Sequence, residues 1–172
     1  MFISNNTNID IQKTTGGGIL KDKDLNVLGH FRKNARESLT RLSKTTKIPV
    51  STIYDRLKDY EKHKVIRKHT SLLDFKKMGY DVRIKMLLTA SKDKKGKLKK
   101  YLHKHPRVNN LYRVSNGYDY MAELIFKNIE ELDVFSKKLE NYDLEDKKEF
   151  FVLEELKKEE FLTHTPNLGV RN

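Results

Sequence analysis

The hydrophobic residues of this chain change period near residue 80, and that change constrains the fold more than any other feature. Before it they fall at helical spacing: Leu25, Leu28 and Phe31, then Ile53, Leu57 and Tyr60 at i, i+4 and i+7. After it they alternate: Val82, Ile84, Met86 and Leu88. The clearest alternation is Tyr118–Lys127, with Tyr118, Tyr120, Ala122, Leu124 and Phe126 on one face. The other face, Asp119, Met121, Glu123, Ile125 and Lys127, is mixed rather than purely polar. A period of 3.6 buries one stripe of a helix and a period of 2 buries one face of a strand. The chain is therefore α+β, with helices gathered first and a sheet built afterwards.

The first part divides into short helices. One is expected over about Lys23–Asn34, with Asp22 able to cap it, and a second begins at Ser38 as N-cap with Leu39 and Leu42 inward. Lys47-Ile48-Pro49-Val50 breaks the second, and Ser51 then caps a third. Asp55 near the start of that helix and Lys62-His63-Lys64 at its end suit the helix dipole. Val65–Thr70 reads as a strand. Three helices, a short turn and a strand make a winged helix-turn-helix over residues 19–70. Residues 1–18 read as a flexible tail; Gly16-Gly17-Gly18 lacks the following Lys-Ser/Thr of a phosphate-binding loop.

The second part reads as strand Asp81–Ala90, helix Lys92–His105 stopped by Pro106, strand Val108–Ser115, an Asn116-Gly117 turn and strand Tyr118–Lys127. A helix capped by Asn128, with Ile129, Leu132, Phe135 and Leu139 inward, and a strand Lys148–Leu156 complete it. The order β-α-β-β-α-β is ferredoxin-like and spans residues 81–162, with a linker at 71–80 and a tail at 163–172. Two helices cover one sheet face only. The other face also carries apolar side chains, and a second copy of the chain is the simplest cover, so a homodimer is expected.

Composition narrows the class. Leu, Ile, Val and Phe supply 48 of the 172 residues, enough for a packed core, and there is no cysteine for a disulfide or a thiolate site. No apolar run reaches the length of a membrane span, and the N-terminus has no apolar signal region. A soluble, cytoplasmic protein without a membrane partner is the expectation. The net charge is +12, of which +8 lies in residues 1–70. That excess favours a polyanion, with double-stranded DNA as the partner expected of a helix-turn-helix.

The residues placed to meet DNA are Ser51, Thr52, Tyr54 and Asp55 in the first turns of the third helix, with Arg56 and Lys58 one turn further. Arg takes guanine through two hydrogen bonds, whereas Lys serves best on phosphate. Lys47 from the turn and Arg67 and Lys68 from the wing are candidate phosphate contacts. Arg36 suits either phosphate or a structural contact. The alternative is a solvated helix face, on which Asp55 would pair with Lys58 and Arg56 with Asp59. His103 and His105, two apart on a helix, point to different faces and make a poor metal pair. No nucleophile setting such as G-x-S-x-G occurs. No catalytic residue, metal or cofactor is expected.

These residues carry a family resemblance. Asn34-Ala35-Arg36-Glu37-Ser38 resembles the segment between the first two helices of the Lrp/AsnC family of transcription regulators. Ile48-Pro49-Val50-Ser51, Arg56-Leu57, and Glu61 before Val65-Ile66 resemble that family's turn, recognition helix and wing; Asp74 and Gly79 resemble its linker. Val114-Ser115-Asn116-Gly117-Tyr118-Asp119-Tyr120 is similar to its V-x-G-x-[FY]-D-[FY] segment. The likeness spans about residues 20–162. In the family, glycine usually precedes both the recognition-helix turn and the wing; here Lys47 and Lys64 stand there, at about 1 kcal/mol each if φ is positive. The first glycine of the Asp119 segment is Asn116, with Gly117 next.

The resemblance implies a sequence-specific regulator that binds DNA as a homodimer, tetramer or octamer, modulated by an amino acid or similar small effector. Asn116, Gly117, Tyr118 and Asp119 would form the effector loop, Asp119 receiving an α-ammonium and turn N–H groups a carboxylate. The alternative for the loop is a plain hairpin turn with a structural Asp. For the whole chain the alternatives are a haem-pathway decarboxylase of the same architecture, drawing on Arg83, Lys85, Arg107 and Arg113, and a weakly specific architectural DNA-binding protein.

Overall fold

The computed structural model describes residues 20–163. The tail expected at 1–18 and the tail expected beyond 163 lie outside those residues. The chain forms two compact units, one ending at Ser71 and taking up the chain again from Lys157, the other running from Leu72 to Leu156.

The first unit holds helices α1 (Asp22–Lys33), α2 (Leu39–Thr46) and α3 (Val50–Lys62). Their apolar stripes meet in a core of Val27, Phe31, Leu42, Ile53 and Tyr60, flanked by Leu28, Leu39, Ile48, Leu57 and Ile66. Ser38 caps α2 as expected: its hydroxyl accepts the Arg41 N–H at 3.1 Å. At the start of α1, the cap lies elsewhere than expected. Lys21 is the N-cap residue, Asp22 is already helical, and the carboxylate that reaches back to the Lys21 N–H, at 3.0 Å, belongs to Asp24. At α3 the helix begins two residues early, with Pro49 as N-cap, so Ser51 sits inside the first turn. Proline is suited to a helix start because the N–H it lacks would have had no helical partner. The strand expected at Val65–Thr70 is not formed. The segment is irregular, tied by the Ile66 N–H to the Tyr60 carbonyl at 3.1 Å. β-Branched residues make a strand only beside a partner strand, and no strand of the described residues pairs with this segment.

The second unit contains β1 (Val82–Ala90), α4 (Lys95–Lys104), β2 (Val108–Arg113), β3 (Tyr120–Phe126), α5 (Ile129–Leu139) and β4 (Leu144–Phe151). The sheet order is β2-β3-β1-β4, with every neighbouring pair antiparallel. This is the expected βαββαβ order. Leu98 and Leu102 of α4 and Leu132, Phe135 and Leu139 of α5 pack on the face made by Ile84, Met86, Leu88, Ala122, Leu124 and Phe126. Asn128 caps α5, accepting the Glu131 N–H at 3.0 Å. Asn116 and Gly117 both have positive φ, 66° and 91°, as a tight hairpin turn of this type requires.

Several boundaries differ from expectation: β2 stops at Arg113 rather than Ser115, and β3 runs from Tyr120 to Phe126 rather than from Tyr118 to Lys127. Helix α4 starts at Lys95, leaving 92–94 as a turn, and β4 starts at Leu144 rather than Lys148 and stops at Phe151. Strand β4 is an edge, where charged residues such as Glu145, Asp146, Lys147 and Lys148 are tolerated, so its start carries no apolar signature. Beyond it, Leu153 and Leu156 are 96% and 85% exposed.

The sheet face opposite the helices carries Leu87, Met121 and Ile125 beside a polar cluster around Glu123. Tyr112 and Phe150 on the same face are about half exposed. Glu123 is buried and is hydrogen-bonded by Arg83 and Asn110. Burial works against its charge, but the Asn110 and Arg83 donors hold its carboxyl below the usual range.

Candidate nucleic-acid interface and effector loop

Helix α3 has one face in the core and one in solvent. Ile53 and Tyr60 are buried, while Ser51, Tyr54, Asp55, Lys58 and Lys62 are exposed and recur at i, i+3/i+4, i+7 and i+11. Of the six residues expected on this helix, Ser51, Tyr54, Asp55 and Lys58 therefore share one outward stripe. The Lys58 ammonium lies over the Tyr54 ring, 4.5 Å from its centre, and their hydrogen bond raises the Lys58 pKa. Thr52 is half-buried on the flank.

Arg56 is placed differently. Its guanidinium lies 2.9 Å from the Asp24 carboxylate of α1, and the Tyr60 hydroxyl donates to the same carboxylate oxygen at 2.6 Å. Burial opposes the charge of Asp24, but the Tyr60 hydroxyl, the Lys21 N–H and Arg56 together hold its carboxyl below the usual range. The same burial and hydrogen bond push the Tyr60 phenol upward. Asp24 was not singled out by sequence reasoning, and Tyr60 only as an inward residue of its helix: Asp24 stands 32 residues from Arg56, and no local pattern links them.

The expected phosphate contacts Lys47, Arg67 and Lys68 are exposed, as is Arg36. Lys47 ends α2 with φ of 59° and Lys64 follows α3 with φ of 60°. Asp59 pairs with His63 at 3.0 Å rather than with Arg56, and His69 pairs with Glu61 at 2.9 Å.

In the second unit, the turn residues Asn116 and Gly117 are exposed, and the Thr89 hydroxyl donates to the Gly117 carbonyl at 2.9 Å. The Tyr118 hydroxyl donates to Asp146 at 2.8 Å, and the Lys148 ammonium lies 5.5 Å from the centre of the Tyr118 ring. Asp119 already has partners: the Lys95 ammonium at 2.8 Å and the Ala90 N–H at 3.1 Å. Burial works against its charge, but those two donors hold its carboxyl low. Lys95 was missed because it is one of six lysines between residues 92 and 100, and nothing in the sequence marks it out. Among the described residues no group of three or more His or acidic side chains is placed to hold a metal ion, and no helix is long and apolar enough to cross a membrane.

These observations define a helix-turn-helix unit joined to a ferredoxin-like βαββαβ unit. Residues 82–161 match the Lrp/AsnC ligand binding domain family. A transcriptional regulator of the helix-turn-helix type from Pyrococcus abyssi is 31% identical over 143 residues, covering 83% of this chain and 97% of its own length. LrpC of Bacillus subtilis is 24% identical over 119 residues, covering 69% of this chain and 83% of its own. Among solved structures, LrpC superposes with a TM-score of 0.75 at 22% identity, covering 81% of this chain and 99% of LrpC. A transcriptional regulator of Neisseria meningitidis in complex with L-Met gives the same TM-score and identity, covering 81% of this chain and 94% of its own. The chain belongs to the Lrp/AsnC family of helix-turn-helix transcriptional regulators.

Proposed function

We propose that the chain controls transcription by binding specific double-stranded DNA through α3, as a homodimer closed over the open sheet face. The observation that carries this reading is the outward stripe of α3. Ser51, Tyr54, Asp55 and Lys58 share a face that no core residue of the unit covers, on the second helix of a helix-turn-helix. Such a helix enters the major groove with its N-terminal residues nearest the base edges. Lys47, Arg67 and Lys68 supply charge for the phosphates, and Thr52 meets DNA from the flank. Arg56 serves this site as a brace. Turning it toward a guanine would take from Asp24 one of its three donors, so its role is to hold α3 on α1.

The loop of Asn116, Gly117, Tyr118 and Asp119 is the proposed site of an amino acid or similar effector. The L-Met complex of the Neisseria regulator supports that class of ligand for a chain of this fold. An α-ammonium arriving at Asp119 would compete with the Lys95 ammonium, so the carboxylate exchanges one cation for another. Binding that favours one assembly over another would shift which DNA spacing is preferred.

Two of the four cations that the decarboxylase alternative draws on are already engaged. Arg83 is paired with Glu123 and Glu155, and Arg107 with Glu131, so neither stands ready for a substrate carboxylate. Selection of bound duplexes from a random pool, repeated at higher salt, tests the DNA reading. It should enrich a roughly palindromic site with half-sites one helical turn, or a multiple, apart. Equal retention of selected and random duplexes would instead mark an architectural binder.

A further inference from the structure

Two lysines flank the recognition helix in a backbone conformation that side chains avoid. Lys47 has φ of 59° and Lys64 has φ of 60°. In this region the Cβ of an L-residue crowds the following carbonyl, and glycine alone is free of the penalty. Both residues close helix ends: the Lys47 N–H meets the Ser43 carbonyl at 2.9 Å, and the Lys64 N–H meets the Glu61 carbonyl at 3.1 Å. The backbone there is thus fixed by its own hydrogen bonds, and a residue without a Cβ would satisfy it with less strain. Both side chains are exposed, and neither forms an ion pair with a described residue. Nothing among the described residues explains a charged side chain at either place.

Their position suggests what does. Helix α3 has 13 residues, which at 1.5 Å each makes it about 20 Å long. The major groove is about 12 Å wide. A helix of that length, seated with its N-terminal turns at the base edges, is longer than the groove is wide, so the residues that bracket it lie out toward the sugar-phosphate backbone. Lys47 stands three residues before the first residue of α3 and Lys64 two after its last. Lysine suits this place, being a compact charge on a flexible stem that needs no fixed angle of approach.

We propose that Lys47 and Lys64 are a pair of phosphate contacts bracketing the recognition helix, retained for DNA affinity at the expense of fold stability. This rests on the DNA-binding reading of α3. The consequence is that stability and DNA affinity move in opposite directions when the two positions become glycine.

The test compares the full chain with its K47G/K64G and K47Q/K64Q variants. Thermal unfolding and the salt dependence of binding to one selected duplex are measured for each. The glycine variant should unfold about 4–8 °C higher, while its plot of log affinity against log salt becomes shallower by about 0.9 for each lysine lost. The glutamine variant should lose the same slope without the gain in unfolding temperature, since it keeps the Cβ. An unchanged slope in both variants, with the unmodified chain binding DNA normally, would overturn the proposal while leaving the DNA reading intact. An unmodified chain that retains no duplex even at low salt would overturn both.

Discussion

Replacing Asp24 by alanine removes the carboxylate on which three donors converge: the Tyr60 hydroxyl at 2.6 Å, the Arg56 guanidinium at 2.9 Å and the Lys21 N–H at 3.0 Å. The three contributions are unequal. Tyr60 is 3% exposed, so its hydroxyl, left without an acceptor, loses a hydrogen bond that water cannot fully replace. A buried donor in that state costs about 1–3 kcal/mol. The Arg56 side chain is 30% exposed and is partly rehydrated, which brings its share toward about 1 kcal/mol. The Lys21 N–H lies at an exposed helix start and adds only a few tenths of a kcal/mol. The sum is about 3 kcal/mol. Urea unfolding followed by far-ultraviolet circular dichroism measures it. Asp24→Ala together with Arg56→Ala should show a coupling of about 1–2 kcal/mol, since the two residues share one interaction. The pH dependence has a fixed sign. The carboxyl of Asp24 is depressed in the folded chain, so its contribution is complete above the unfolded value of about 3.9 and is lost as pH falls through the folded value. The difference between the two proteins should therefore shrink below about pH 4. A destabilisation under about 1 kcal/mol at pH 7, or one independent of pH, would refute the brace.

Other outcomes follow from the same structure. Leu42 is fully buried at the centre of the first unit, and Leu42→Ala should cost about 2–5 kcal/mol in urea unfolding. Glu123 is held ionised by Arg83 and Asn110, so Glu123→Gln should cost about 2 kcal/mol at neutral pH. That difference should begin to shrink below the unfolded glutamate value of about 4.3 and be lost as pH falls through the folded value, which lies lower. Asp119→Ala should abolish any change of assembly state driven by an amino acid, read by light scattering, while DNA binding without ligand persists. A ligand response that survives this change would remove Asp119 from the effector site.

The sequence revealed those features whose cause is local. Ser38 and Asn128 read correctly as caps because a short polar side chain reaches an N–H only three residues on. The alternation in Val82–Ala90 and Tyr120–Phe126 was visible because both strands lie inside the sheet and bury one face. The Asn116-Gly117 turn was visible because few residue pairs accept positive φ twice. What escaped depends on partners far along the chain. Val65-Ile66 has strand propensity but no strand to pair with among the described residues. The polar start of β4 is a strand only because β1 lies beside it. The pairing of Arg56 with Asp24 spans 32 residues, and Lys95 is one lysine among six until it meets Asp119. In the candidate site, periodicity picked out the exposed stripe of α3, but it did not separate the residues free to meet a partner from those already engaged.

The central claim is that the outward stripe of α3 reads the base sequence while Arg56 supports it from behind. Affinities for one selected duplex and for its scrambled counterpart, at a single salt concentration, test this most directly in Ser51→Ala/Tyr54→Ala and in Arg56→Ala. The stripe variant should lose about 1–3 kcal/mol of preference for each base pair it no longer reads, with the scrambled duplex bound nearly as before. Arg56→Ala should lower fold stability and keep the preference. A stripe variant that discriminates as well as the unmodified chain, or an Arg56→Ala protein that is stable but no longer discriminates, would contradict the account.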